Sequence, residues 1–181
     1  MNGFTRKNQL LSLCGLNCGL CPMHLGGHCP GCGGGAGNQS CKIAKCSLEH
    51  GRIEYCFQCG EHPCDKYAHI DDYDSFITHK NRKTDLEKAK RIGIEAYNAE
   101  QEEKIQILTK LLANYNDGRR KTFFLTAVNL LELDELNNIL RQLETNADLD
   151  RLGLKEKSAY AAALLQNLAE QRNILLKLRK K

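Results

Sequence analysis

All ten cysteines of this 181-residue chain lie between Cys14 and Cys64. Twelve of the fifteen glycines and all three prolines fall in residues 1–64. Gly26-Gly27 and Gly31-Cys32-Gly33-Gly34-Gly35 demand turns, so no long run of regular helix or sheet is expected there. Large apolar side chains are sparse in this stretch, which is therefore expected to lack a core of its own. Bound metal can offset the chain entropy that such a core would otherwise have to overcome.

The cysteines read Cys14-x3-Cys18-x2-Cys21, Cys29-x2-Cys32, Cys41-x4-Cys46 and Cys56-x2-Cys59-x4-Cys64. A Cys-x2-Cys pair can turn both sulfurs toward one ion at about 2.3 Å, and glycine in or after the pair eases that turn. Cys29-Pro30-Gly31-Cys32 and Cys56-Phe57-Gln58-Cys59-Gly60 have this form. Met1 to Leu13 carries no secretory pattern, because the apolar run Leu10 to Leu13 is short and no small-residue cleavage site precedes the cysteines. The cytoplasm is the expected address. There thiols stay reduced, and metal is favoured over a disulfide framework.

Zinc takes closed tetrahedral sites of four cysteines, or of three cysteines and a histidine. Ten cysteines make two four-cysteine sites with two left over, so about two zinc ions are expected. One grouping places Cys29, Cys32, Cys41 and Cys46 on one ion, and Cys56, Cys59 and Cys64 on another with Cys14, Cys18 or Cys21; interleaved groupings are equally allowed. His24 and His28 are candidate additional ligands. His50 and His62 are also near in sequence, and His69 and His79 lie beyond the cluster. Leftover cysteines would be small buried residues or reactive thiols.

Iron–sulfur chemistry is the competing cofactor. Ferredoxins use Cys-x2-Cys runs, and Cys21-Pro22 echoes their ending, but the spacing does not reproduce a ferredoxin run. The Cys-x3-Cys-x2-Cys triple also has the spacing of radical-SAM enzymes. No strand–helix alternation follows it, and the chain is short for the barrel those enzymes use. No G-x-S-x-G, phosphate-binding loop or H-E-x-x-H is present, so nothing marks an enzyme. The glycine-rich Gly31–Gly37 reads as a cysteine-flanked turn. Asp71, Asp72 and Asp74 read as an acidic loop rather than a hard-cation site. Asp117-Gly118-Arg119-Arg120-Lys121 is a basic helix start, with Arg119, Arg120 and Lys121 as a candidate anion contact.

The formal charge of +4 invites a nucleic-acid reading. However, residues 1–75 hold six Lys/Arg against seven Asp/Glu, so the basic excess lies outside the cysteine region. A zinc held by four thiolates is also doubly negative, and two such sites would bring the total near zero. No apolar run approaches the ~20 residues of a membrane helix.

From about Asp65 onward helix formers dominate, and no proline follows Pro63. Thr84 and Glu87 fit a capping box before a helix ending near Gly93. Ile105, Leu108, Leu112 and Tyr115 mark a helix stopped by Asp117-Gly118. Phe124, Ala127, Val128 and Leu131 mark a segment expected at a bundle centre, since Phe123 and Leu130 add apolar surface around it. Leu133, Leu136, Leu140 and Leu143 mark the next helix, and Leu164, Leu168, Leu175 and Leu178 a long last one. No strand alternation is evident. The expected fold is mainly α, with a loop-rich cysteine module (residues 1–66) packed on an α-helical bundle (residues 67–181), together one unit.

Several motifs resemble the cysteine-rich bacterial and archaeal family catalogued as domain of unknown function 3795. They are Cys14-Gly15-Leu16-Asn17-Cys18 with Cys21-Pro22, Cys29-Pro30-Gly31-Cys32, Tyr55-Cys56-Phe57-Gln58-Cys59 and His62-Pro63-Cys64. Arg91-Ile92-Gly93-Ile94-Glu95, Tyr115 to Lys121 and Ala127 to Leu131 extend the likeness, which runs from about Cys14 to Leu143. The resemblance implies metal binding by a single design that includes all ten cysteines, with no established reaction. The function expected from the sequence is a structural zinc module presenting a surface to a protein partner. The alternatives are a redox or electron-transfer protein using an iron–sulfur cluster or thiols, and a zinc-dependent nucleic-acid binder.

Overall fold

The computed structural model describes residues 3–35 and 41–180. Ala36 and Gly37 of the glycine-rich turn, and Lys181 of the basic tail, lie outside them. Among the described residues there are helices and turns but no strand. The helices are α1 (Pro22–Leu25), α2 (Lys42–Glu49), α3 (Arg82–Ile92), α4 (Ile94–Asn114), α5 (Lys121–Leu130), α6 (Leu133–Thr145) and α7 (Leu154–Gln171). Single 3-10 turns cover Cys18–Leu20, Cys56–Gln58, Asp65–Tyr67 and Ala147–Arg151. The protein is mainly α, as its pattern predicts. No helix is long and apolar enough to cross a membrane.

The chain divides into two compact units, residues 1–101 with 178–181, and residues 102–177. The unit that holds the cysteines thus extends well past residue 66. The reason is a core that the cysteine region does possess, completed by later helices. Phe4, Leu11, Leu13, Ile43, Ala44, Tyr55, Cys56 and Tyr67 bury against Leu86 and Ala89 of α3 and Tyr97 of α4. Each fully buried Leu of this set contributes roughly 1.5–3 kcal/mol. Among the cysteines the longest regular element in the described residues is the eight-residue α2. There Lys42-Ile43-Ala44-Lys45 are good formers, and Ile43, Ala44 and Ser47 make a buried stripe.

Two hydrogen-bonded residues bind the first cysteine loop to α3 and α4. Buried Asn17 donates from Nδ2 to Asp85 Oδ2 at 2.8 Å, and Tyr97 donates its hydroxyl to Asn17 Oδ1 at 2.8 Å. Helix α3 begins earlier than the capping-box reading placed it. Its N-cap is Asn81, and Thr84 instead donates its hydroxyl back to the Asn81 carbonyl at 2.8 Å. Gly93, at φ 88°, ends the helix.

In the second unit, α5 is buried along Phe124–Asn129, as its all-round apolar character predicts. Helix α6 buries Leu136, Ile139, Leu140 and Leu143. The Lys104 ammonium donates to the Leu131 carbonyl at 2.7 Å, satisfying the backbone just beyond α5. Helix α7 departs from its predicted register and length. Its buried stripe is Ser158, Ala161, Leu165 and Ala169, one position along from Leu164 and Leu168. The small alanines allow close approach, and a count of leucines overlooks them. The helix stops at Gln171, Asn173 is left-handed at φ 55°, and Leu175 is exposed.

Candidate metal centre

Eight of the ten cysteines lie in two neighbourhoods, with Cys14 acting on both Cys18 and Cys56, and among the described residues no three sulfurs come within 4.8 Å of one another. Around Cys18 are Cys14, Cys21 and Cys32. Cys18 opens a 3-10 turn, and the Cys21 N–H closes it onto the Cys18 carbonyl at 3.0 Å. Burial pushes the Cys18 thiol up to about 12, and Cys32, Cys14 and Cys21 add to this by repelling its thiolate, while the backbone N–H of Cys32 opposes it. Burial also raises Cys32, against the pull of Arg6 and a hydrogen bond from the Leu13 N–H. Ser12 Oγ lies 3.4 Å from Cys14 Sγ.

Arg6 is the charged element behind this group. Its side chain is 1% exposed. Nε donates to the Glu54 carbonyl at 2.9 Å, and Nη1 to the carbonyls of Leu11 at 2.9 Å and Cys32 at 3.3 Å. The guanidinium stacks on Tyr55, 4.9 Å from the ring centroid. Nη2 is buried without a hydrogen-bond partner, while the guanidinium as a whole favours the Cys32 thiolate. The Arg6 N–H donates to the Gly33 carbonyl at 3.1 Å, which draws Cys32-Gly33 in beside the N-terminal segment.

The second group comprises Cys46, Cys56, Cys59 and Cys64, which share the wall of one pocket with His62, Lys66 and Tyr67 over Ile43 and Ile53. Cys46 comes from α2, Cys56 opens and Cys59 closes a 3-10 turn, and Cys64 precedes the next turn. The Gln58 side chain braces that knuckle by accepting from the N–H groups of Glu54 at 2.9 Å and Tyr55 at 3.0 Å. Burial pushes the Cys56 thiol up to about 12; the Tyr67 hydroxyl, hydrogen-bonded to it, opposes this, and Cys14, Cys64 and Cys46 add to it. The half-buried Lys66 ammonium lines the same pocket and is held more firmly charged, chiefly by the Cys46 sulfur.

Histidines enter at this second group. His62 Nε2 is buried without a hydrogen-bond partner, and burial, then Lys90, favours its neutral ring. His50 Nδ1 lies 3.5 Å from Cys46 Sγ and 2.9 Å from the Cys46 carbonyl oxygen. The donor atoms of His50, Cys59 and Glu61 all lie within 4.8 Å of one another. His24 instead turns Nδ1 to the Cys29 carbonyl at 3.0 Å, and His28 is exposed.

Cys32 thus lies near Cys18, and Cys46 shares a pocket wall with Cys56; this is one of the interleaved arrangements that the spacing allows beside the grouping of Cys32 with Cys46. Half-buried Cys29 and exposed Cys41 are not among the eight. Arg6, Glu61, Lys66 and Tyr67 escaped sequence reasoning. Arg6 belongs to no motif, while Lys66 and Tyr67 follow Cys64 closely enough that adjacency alone could have flagged them. The acidic loop is structural, since Asp71 pairs with Arg82 at 3.0 Å, Asp72 with His69 at 3.0 Å and Asp74 with Arg179 at 2.9 Å. Of the predicted anion contact, Arg120 is engaged by Asp117 at 2.5 Å and Ser158 at 3.2 Å, whereas Arg119 and Lys121 are exposed. No family model, curated protein or solved structure matches the chain.

Proposed function

We propose that this is a metal-binding protein holding two ions, zinc being the expected ion. One would sit on Cys14, Cys18, Cys21 and Cys32, the other on Cys46, Cys56, Cys59 and Cys64. The observation that supports this reading is the clustering of cysteines from separate loops, some around Cys18 and others along the wall of one pocket, their sulfurs not converging to within 4.8 Å in the ion-free structure. In a bare set, burial and the mutual repulsion of thiolates keep the thiols protonated. A divalent cation removes both penalties.

Further support comes from groups suited to the negative charge of such centres. Arg6 sits beside Cys32 with a buried N–H unpartnered. Backbone N–H groups reach the sulfurs of Cys18 and Cys32, and Lys66 reaches that of Cys46. Four thiolates close the coordination of zinc, so the ions would serve to hold the fold rather than to catalyse. The module would then present a surface to a protein partner.

The Cys14-x3-Cys18-x2-Cys21 triple within the first set supports a second reading, an iron–sulfur cluster at that set whose potential Arg6 and the N–H groups would tune. Metal analysis of the full chain purified without oxygen tests both. About two equivalents of zinc on colourless protein are expected. Brown protein with iron and labile sulfide would transfer the assignment to the cluster. Metal-free protein with paired, oxidised thiols would overturn the proposal.

A further inference from the structure

We infer that His50, Cys59 and Glu61 form a solvent-facing metal-accepting trio through which the ion of the second cysteine set exchanges. This inference rests on the assignment of an ion to that set. The trio has three donor types converging within 4.8 Å, and its Cys59 also belongs to the wall of the four-cysteine pocket. His50 and Glu61 are exposed. His50 is also anchored to the deeper set, with Nδ1 3.5 Å from Cys46 Sγ. When the Nδ1 proton is donated to the Cys46 carbonyl, 2.9 Å away, Nε2 is left as the metal donor.

A closed four-thiolate site releases its ion only when an added donor replaces a thiolate. Here the replacement is provided locally. Cys59 would keep its bond to zinc while the His50 nitrogen and a Glu61 carboxylate oxygen replaced the sulfurs of Cys46, Cys56 and Cys64, each released thiolate taking a proton from solvent. Lys66 lines the pocket beside Cys46 and Cys64, where its ammonium would attract a released thiolate. No electron moves, and protons taken up by the released sulfurs balance their charge. The ion on the trio keeps one position open for water or for the donor of an acceptor. The first set has the buried Arg6 behind it, and no comparable trio joins it among the described residues.

The test is the release of zinc from the fully loaded chain into excess chromophoric chelator. The expected course is biphasic, one equivalent fast and one slow. The double variant His50→Ala, Glu61→Gln should still carry two equivalents and lose the fast phase, slowing it at least about tenfold, the low end of what outer-shell ligand partners contribute. Glu61→Gln alone should slow it less. Both side chains are exposed, so the variants are expected to fold, and far-UV circular dichroism checks this. Unchanged release from the double variant would overturn the inference, as would a variant carrying one zinc, which would make these residues permanent ligands. Single-phase release from the parent chain would also overturn it. A parent chain without two zinc ions would instead sink the assignment beneath it.

Discussion

Gly15 lies inside the Cys14–Cys18 loop at φ 95°, and a Cβ there would meet the Arg82 carbonyl oxygen at 2.4 Å and Leu86 Cγ at 2.7 Å. The loop therefore rests directly on α3, with Asn17 fastening it. Gly15→Ala should cost about 2–5 kcal/mol, combining overpacking against backbone with a left-handed conformation. Urea unfolding measures this, with Gly27→Ala as the comparison. Gly27 has φ 72° and open space around it, so only the backbone cost of about 1 kcal/mol applies. Equal midpoints for the two variants would rule out the close approach. At this scale the sequence displayed the cysteines plainly and hid their grouping. Cys29 and Cys32 are a natural pair by spacing, yet Cys32 is drawn to Cys18 through Arg6 and Gly33, a contact spanning twenty-seven positions that no local pattern encodes.

Elements were legible where one face repeats. Helices α5 and α6 follow their apolar stripes closely because burial alone sets those faces. Helix α2 was obscured because flanking cysteines suggest loops, although its own residues favour a helix. Helix α7 was misjudged because its buried stripe uses Ser158, Ala161 and Ala169, which carry little hydrophobic signal. Beyond α7, the last residues return to the first unit through Asp74. Its carboxylate accepts from the Arg179 guanidinium at 2.9 Å and the Arg179 N–H at 2.7 Å. Burial alone would raise Asp74, but these bonds, with the His79 N–H, outweigh it and hold the carboxyl below its ordinary 3.8. The depressed value means that this stabilisation is complete above 3.8 and is lost as pH falls below it through the lowered value. Asp74→Asn should therefore cost about 1.5–3 kcal/mol at neutral pH, the scale of hydrogen bonds to charged groups. It should also flatten the fall in stability below pH 4. Parallel acid profiles for parent and variant would show that Asp74 does not fasten the tail.

For the whole molecule, sulfur and hydrocarbon divide the task of folding unevenly. Every cysteine belongs to the first unit, whereas the second is filled by side chains such as Phe124, Val128, Leu136, Leu143 and Leu165. The first unit has a hydrocarbon core too, but Cys56 lies within it and Cys14, Cys32 and Cys64 pack against it. If the proposed ions are bound, stripping them would leave those thiols protonated, with Arg6 facing only the Glu54 carboxylate at 3.7 Å. The second unit holds no cysteine. Chelation under reducing conditions should thus separate the two. The metal-free chain should unfold in two steps in urea, residues 1–101 first, with the helical signal of 102–177 persisting to higher denaturant. Loss of a bound ion removes stability by mass action, so the first midpoint should move with free zinc concentration and the second should not. Hydrogen exchange can assign each step to its residues. If both units instead lost protection together after chelation, their stabilities would be one quantity, and the cysteine centres would support the entire chain.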